Sequence, residues 1–552
     1  MDVLVVVGDA APPARLVARS RRQVRVAAAP VGGDTVADLR AHIPRSVGVW
    51  SAEPAAAAAV AADLHRAGLP VAVHADGPVA LEPGVGRVAL SDAGPAMEVA
   101  DSLLDLIGNT PLVRLDRVGR DLACTLLGKL EYLNPGGSVK DRPALAMVEA
   151  AERDGLLRPG GTIVEPTSGN TGVGLAMVAA RRGYHCIFTM PDKIAEEKRQ
   201  LLRAYGAEVI ICPSGVPHGH PDSYTEVAAR LAHETPGGFC PNQYENPANP
   251  ASHRASTGPE IWRKTAGRIT HLVATVGTGG TISGLGGWLK EQNPAIRVVG
   301  ADPEGSVYSG GTGRPYLVEG IGHDYFPGIY DPAVADEFVV VSDRDSFLTA
   351  RRVTREEGIL VGGSCGTAVW AALQVGRTLG PDAVVVVLLP DSGRGYLSKV
   401  YDDTWMADHG FLRTTGDTIE AVLAAKGGAI PPLVHVHPDE SVRAAISVLR
   451  EYGVSQLPVV RAEPPLRLAE VVGTVADRDL LERAVADPSV IDRPVAEVMG
   501  RPLPMIGSGE PVDTAAARLG DASAVLVLDG GHPTGIVTRS DLLDYLAGGR
   551  AR

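Results

Sequence analysis

The middle of this 552-residue chain is punctuated by four glycine-bearing turns, each set between an apolar run and a helical pattern. Such a pattern confines the segment to alternating strands and helices, an α/β sheet whose turns gather at the carboxyl ends of the strands. The turns are Asn134-Pro-Gly-Gly-Ser-Val-Lys-Asp-Arg142, Glu165-Pro-Thr-Ser-Gly-Asn-Thr-Gly172, Gly277-Thr-Gly-Gly-Thr281 and Gly362-Gly-Ser-Cys-Gly366. The first delivers Lys140 to a helix start. Ser138 and Asp141 have capping-box spacing there, and Pro143 suits a first-turn position. Desolvation and the positive end of a helix dipole both disfavour a charged lysine, and a lysine so treated can form a Schiff base. By itself, a lysine after Gly-Gly-Ser is usually a solvated surface charge. The second and third turns put hydroxyls and exposed amides at helix starts, a cradle for a carboxylate or a phosphate. The fourth carries Ser364 after the strand-like run Gly358 to Val361, and a simple helix cap would also account for it.

Charge and cysteine content narrow the function classes. The 52 basic and 65 acidic residues leave a net charge of -13, which argues against a nucleic-acid binder. Five cysteines lie scattered without metal-ligand spacing, as reduced thiols do in a cytoplasmic protein, and no metal site is expected. The two histidines of Pro217-His-Gly-His-Pro221 lack a third ligand and read as an exposed turn. Met1 to Gly8 is too short for a membrane span and has no basic leader, and no other run reaches eighteen apolar residues, so no membrane partner is expected.

The chain divides into four parts. Residues 1–98 alternate short apolar runs (Val3–Val7, Val24–Ala28, Val47–Trp50, Val71–Val73, Val88–Leu90) with helical stretches, the pattern of a small Rossmann-like α/β domain. Its first turn lacks dinucleotide-binding glycine spacing, and its role is not legible. Residues 99–411 hold the four turns, 412–430 read as a linker, and 431–548 repeat one order twice. The repeats end in Gly473-Thr-Val-Ala-Asp-Arg-Asp479 and Gly535-Ile-Val-Thr-Arg-Ser-Asp541.

The four turns, in this order, resemble those of the fold type II pyridoxal-phosphate enzymes, the tryptophan-synthase β type. Within that group Leu106-Ile-Gly-Asn-Thr-Pro-Leu112, Asn242-Gln-Tyr-Glu-Asn-Pro-Ala-Asn249, Pro303-Glu-Gly-Ser306 and Val318-Glu-Gly-Ile-Gly322 resemble the cystathionine β-synthase and cysteine synthase family. The terminal repeat resembles a tandem pair of CBS domains. The resemblance implies pyridoxal 5'-phosphate as cofactor, with Lys140 as its Schiff-base lysine and catalytic base. It puts the phosphate on Gly277, Thr278, Gly279, Gly280 and Thr281, the ring hydroxyl at Asn170 and the pyridine nitrogen at Ser364. Thr167, Ser168, Thr171 and Gln243 would hold the substrate carboxylate, and Tyr244 would line the second-substrate pocket. Thr538 and Asp541 would hold a regulatory ligand, S-adenosylmethionine or an adenine nucleotide, while Ala476 stands where the first repeat would have threonine.

The implied reaction is β-replacement on serine by a thiol, with homocysteine giving cystathionine, in a homodimer or larger homo-oligomer. A neutral hydroxyl at Ser364 favours loss of a β-substituent over transamination. Three alternatives stay open: a cysteine synthase using O-acetylserine or O-phosphoserine with sulfide, a variant with another nucleophile, and a non-catalytic adenosyl-ligand sensor. Animal members of that family carry an N-terminal haem segment with a cysteine and a histidine ligand; residues 1–97 here contain no cysteine, so no haem is expected. His323 follows Gly322 where the animal relatives have tyrosine, which leaves the identity of the second-substrate pocket open. Cys365 reads as a small buried packing residue.

Overall fold

The computed structural model describes residues 3–7, 22–26, 47–51, 57, 60, 61, 64, 71–75 and 86–89, and then residues 99–548 except 168, 193, 195, 214–218, 427–430, 432 and 521. Two compact units result, Met1–Val99 and Ala100–Arg552. The first holds five strands, β1 (Val3–Val7), β2 (Arg22–Val26), β3 (Val47–Ser51), β4 (Val71–Ala75) and β5 (Gly86–Ala89). They pair in parallel in the order β2-β1-β3-β4-β5, the order of a doubly wound sheet. Ala57, Val60, Ala61 and Leu64 are helical and buried, at the i, i+3, i+4, i+7 spacing of one helix face.

The second unit begins with the segment that carries the four turns, and two sheets organise it. A four-stranded parallel sheet runs β10 (Glu208–Cys212), β9 (His185–Pro191), β8 (Thr162–Pro166), β11 (Gly238–Phe239). A six-stranded sheet runs β14 (Glu337–Val341), β13 (Arg297–Pro303), β12 (His271–Thr275), β15 (Val384–Leu389), β7 (Thr125–Leu130), β6 (Leu112–Arg114), parallel except for β6. Val385 to Leu389 of β15 are all buried, because a central parallel strand is covered on both faces and its sequence is a continuous apolar run.

Three helices position the site. Helix α1 (Asp141–Arg153) follows the first turn, α2 (Asn170–Arg182) the second, and α3 (Gly363–Gly376) begins inside the fourth. After the third turn the chain winds as a π-helical turn, Ile282–Gly286, followed by a short helix, Gly287–Gln292. The widened turn lies where a Cβ on Gly284 would collide with the Pro250 carbonyl, so close packing against the chain at Pro250 accompanies the change in winding.

Three expectations are corrected. Ser138 does not cap α1: its hydroxyl accepts from the Lys140 amide at 3.1 Å, Lys140 itself is the N-cap residue, and the Asp141 carboxylate turns back to the Gly136 amide. Gly358 to Val361 is not a strand. Only Val361 makes a bridge, to Ser392, because Gly358 is spent ending the helix Asp343–Glu357 at a positive φ of 73°. The stretch expected as a linker holds the helix Ile419–Ala425, whose Ile419 and Val422 join the core of the second repeat beside Ile506, Val525 and Val537.

The two repeats follow. The first contains the helix Val442–Tyr452, the antiparallel strands β16 (Gln456–Val460) and β17 (Val471–Ala476), and the helix Asp477–Ala486. The second contains β18 (Met505–Gly507), the helix Val512–Arg518, β19 (Ala524–Asp529), β20 (His532–Thr538) and the helix Arg539–Gly548. The first repeat grips the segment that carries the four turns by ion pairs: Arg314 with Glu470 at 2.6 Å and Arg467 with Glu304 at 2.7 Å.

Candidate active site

The turns after β8 and β12 lie at carboxyl ends of parallel strands, and the start of α1 meets them there. A narrow crevice of about 30 Å³ is lined by Lys140, Asn170, Gly277, Thr278, Gly279, Thr281 and Ser364, with Asp391 at its wall. It shares Lys140, Asn170, Gly277 and Thr278 with a wider cavity of about 230 Å³, which adds Thr167, Thr171, Gln243, Tyr244 and His323. Gly280 is buried in the same turn and donates its amide to the Thr278 hydroxyl at 3.3 Å. Ser168 lies outside the described residues, as do Pro217 and His218 of the two-histidine turn. The remaining residues expected around one amino-acid site therefore converge on it.

Thr538 and Asp541 are elsewhere, in the second repeat. The Asp541 carboxylate accepts from the Thr538 amide and hydroxyl, both at 2.7 Å, and the Asp541 amide donates back to that hydroxyl at 3.3 Å. This is a reciprocal helix cap. Lys426 pairs with the same carboxylate at 2.8 Å.

Lys140 sits where its proton is easy to lose. Burial pushes the amine below the ordinary lysine range, opposed by the nearby charge of Asp391. Its turn is anchored from both ends by a buried charge network. Glu131, before the turn, accepts from Arg142, at its end, at 2.7 and 2.8 Å, and Glu260 accepts from both Arg142 and Lys129. Burial alone would raise the Glu131 carboxyl, but the Arg142 charge and hydrogen bonds, with Lys129, outweigh it and hold it ionised. Removing one member of such a buried pair costs about 3–5 kcal/mol, so this network fixes where Lys140 emerges.

Pyridoxal phosphate requires a phosphate cradle, a ring slot and a free amine, and the residues present fit it. Gly279 has a positive φ of 82°, and a Cβ there would lie 2.6 Å from Tyr330 Cβ. A Cβ on Gly280 would strike Asn249 Oδ1, so the turn presents bare backbone. Asn249 donates to the Thr278 hydroxyl at 3.2 Å and Tyr308 donates to the Gly277 carbonyl at 2.6 Å, fixing the turn from outside. His253 meets the Thr281 hydroxyl at 3.2 Å and Thr257 at 2.9 Å. Burial, reinforced by the Arg142 charge, drops its ring to about 3, so it is neutral.

The carboxylate side is built as carefully. The Thr171 hydroxyl donates to Gln243 Oε1 at 2.6 Å, tying the second turn to the Asn242–Asn249 segment. Glu165 accepts from the Asn242 and Gln243 amides at 2.9 and 3.2 Å, and its burial pushes it up to about 7. Tyr244 stacks edge-on to His323 with ring centroids 5.3 Å apart, so His323 does face the wider cavity.

Asp391 is the functional residue that sequence reasoning missed. It is 4% exposed and accepts from Asn170 at 2.9 Å, from Tyr396 at 2.7 Å and, more loosely, from Ser364 at 3.5 Å. Burial raises its pKa, while the Asn170 and Tyr396 hydrogen bonds and the charges of Lys198 and Lys140 pull it down. Its signal was present: Leu388-Leu-Pro-Asp-Ser-Gly393 is another strand end running into a turn, without the doubled glycine that marks the others. Cys365 is fully buried, and burial holds its thiol well above the ordinary range, so it packs and does not react.

Comparison with known proteins agrees with this geometry. The model of the pyridoxal-phosphate dependent enzymes matches residues 103–391, and that of the CBS domain matches 428–486 and 495–548. A cystathionine beta-synthase of Dictyostelium discoideum is 37% identical over 466 residues, covering 81% of this chain and 92% of that protein. The one from Mus musculus is 42% identical over 378 residues, 66% of this chain and 67% of that one. Among solved structures, an O-ureido-L-serine synthase is 40% identical with a TM-score of 0.53, covering 55% of this chain and 96% of that one. A hydrogen sulfide-producing enzyme from Fusobacterium nucleatum is 38% identical with the same TM-score, covering 55% of this chain and all of that one.

Proposed function

This chain belongs to the pyridoxal-phosphate dependent enzymes of the cystathionine β-synthase type, with a pair of CBS domains, and from that premise we propose that it joins L-serine to homocysteine to give L-cystathionine. The observation that carries the site assignment is the convergence of Lys140, the Gly277–Thr281 turn and the Thr171–Gln243 pair on one connected cavity.

Bound pyridoxal phosphate supplies the electron sink that lets the substrate α-proton leave and the β-hydroxyl depart. The chain supplies the rest. Gly277, Thr278, Gly279, Gly280 and Thr281 hold the phosphate, and Asn170 and Ser364 orient the ring. Thr167, Ser168, Thr171 and Gln243 bind the amino-acid carboxylate, which aims the α C–H at Lys140. The buried Nζ, poor at holding a proton, takes the α-proton as general base and later returns one. Tyr244 and His323 wall the side from which the thiol enters. Thr538 and Asp541 are the positions for an adenosyl-type regulator, beside Lys426, which pairs with Asp541 Oδ2. A homodimer or larger assembly is supported by Leu103, Leu106 and Leu156, exposed beside the buried Leu104 and Leu157. A cytoplasmic setting is supported by five unpaired cysteines. Among the described residues no helix is long and apolar enough to cross a membrane.

A paired assay tests the substrate assignment. Serine with homocysteine is expected to turn over at least tenfold faster, by kcat/KM, than O-acetylserine with sulfide, about 1.4 kcal/mol of discrimination. Faster turnover of acetylserine with sulfide would make the chain a cysteine synthase instead.

A further inference from the structure

Three ligand-type side chains meet far from the cofactor site, at the entry to the first repeat. Residues 433–437 run beside β16: the Val436 amide donates to the Pro458 carbonyl at 3.2 Å, and the Val460 amide donates to the Val436 carbonyl at 2.9 Å. In an extended segment, residues two apart share a face. Val436 is buried, 1% exposed, so His435 and His437 stand together on the opposite side. Glu463, on the loop between β16 and β17, reaches both rings.

The hydrogen bonds fix which nitrogen is available. Nδ1 of His435 faces the Leu433 carbonyl at 3.2 Å, and Nδ1 of His437 faces the Val460 carbonyl at 2.9 Å. A carbonyl only accepts, so each Nδ1 carries the proton and a neutral ring leaves its lone pair on Nε2. Both Nε2 atoms point at the Glu463 carboxylate, 3.6 Å from Oε2 for His435 and 3.2 Å from Oε1 for His437. A carboxylate facing two imidazole nitrogens calls for positive charge between them, supplied either by a ring proton, as in a His437 Nε2–Glu463 Oε1 hydrogen bond at 3.2 Å, or by a bound cation. The three donor atoms lie within 4.8 Å of one another, and the rings are nearly perpendicular at 87°. Ligands of a tetrahedral zinc ion bound at about 2.0–2.1 Å lie about 3.3 Å apart, close to both Nε2–carboxylate separations.

We propose that His435, His437 and Glu463 form a site for a divalent transition-metal ion of the zinc class. Two imidazoles held by backbone carbonyls plus one carboxylate suit zinc better than magnesium or calcium, which prefer all-oxygen shells. Glu463 is 76% exposed, which leaves a fourth position to water. The same loop continues into Arg467 and Glu470, the residues that grip Glu304 and Arg314, so a bound ion pins the near end of the segment that docks the repeat.

The test uses the full chain with its cofactor, freed of metal by a chelator and titrated with Zn²⁺ alone. Bound zinc is measured by equilibrium dialysis with metal analysis and by competition with a zinc-binding dye. The unaltered chain is expected to bind one zinc ion per chain at this site, and His437→Ala and Glu463→Gln to weaken that binding roughly a hundredfold. Glu463→Gln changes an exposed side chain, and unchanged circular dichroism and basal turnover show that either variant is folded. An unaltered chain without stoichiometric zinc, or folded variants that bind as tightly as it does, overturns the proposal.

Discussion

Asn170 donates its side-chain amide to Asp391 Oδ2 at 2.9 Å, which locks the turn after β8 to the turn after β15. Both residues line the crevice that contains Lys140. Asp391 thus acts on the proposed ring slot through Asn170 and Ser364, and on Lys140 through charge.

Asp391→Ala removes an acceptor that serves two donors, the half-buried Asn170 and the buried Tyr396. A hydrogen bond involving a charged group is worth about 1.5–3 kcal/mol. The variant is expected to bind pyridoxal phosphate roughly ten- to a hundredfold more weakly, read by equilibrium dialysis, and to shift the visible absorption of what remains bound. Asp391→Asn, which keeps an acceptor oxygen, should recover part of the affinity. Wild-type affinity in both variants would show that Asp391 positions nothing.

His253 makes stability sensitive to acid. Its ring is held neutral in the fold, with a pKa near 3 against 6.5 when free, by burial and by the Arg142 and Lys140 charges, partly offset by Glu131 and Glu260. Below pH 6.5 the unfolded chain takes up a proton that the fold refuses, so stability falls as pH drops toward 3. One such group contributes at most about 1.4 kcal/mol per pH unit. Urea unfolding of His253→Gln is expected to show a shallower loss of stability below pH 6.5 than the unaltered chain. Parallel pH dependences would contradict this.

Much of the site could be read from residues in order because its parts are local. Turns that need bare backbone leave glycines behind, as Gly137 at φ 89° and Gly279 at φ 82° show, and a strand covered on both faces, such as Val384–Leu389, is an unbroken apolar run. What could not be read depends on distant partners. Asp391, His253 and Asn249 become meaningful only when β15 and the chain at Asn249–Thr257 pack beside the turns. The cap at Ser138 was misread because spacing does not reveal that Asp141 folds back onto Gly136. The helix Ile419–Ala425 is short and alanine-rich, so its two core residues stand out only against the second repeat.

The central claim is that Lys140 both holds the cofactor and moves the α-proton. The most direct measurement is the visible spectrum and the serine–homocysteine turnover of Lys140→Ala supplied with pyridoxal phosphate. The expected result is a chain of unchanged circular dichroism that loses both the visible band of covalently held cofactor and turnover, by about four orders of magnitude or more, since anchoring and base catalysis fail together. A Lys140→Ala chain that keeps the band and turns over at a rate close to wild type would contradict the account.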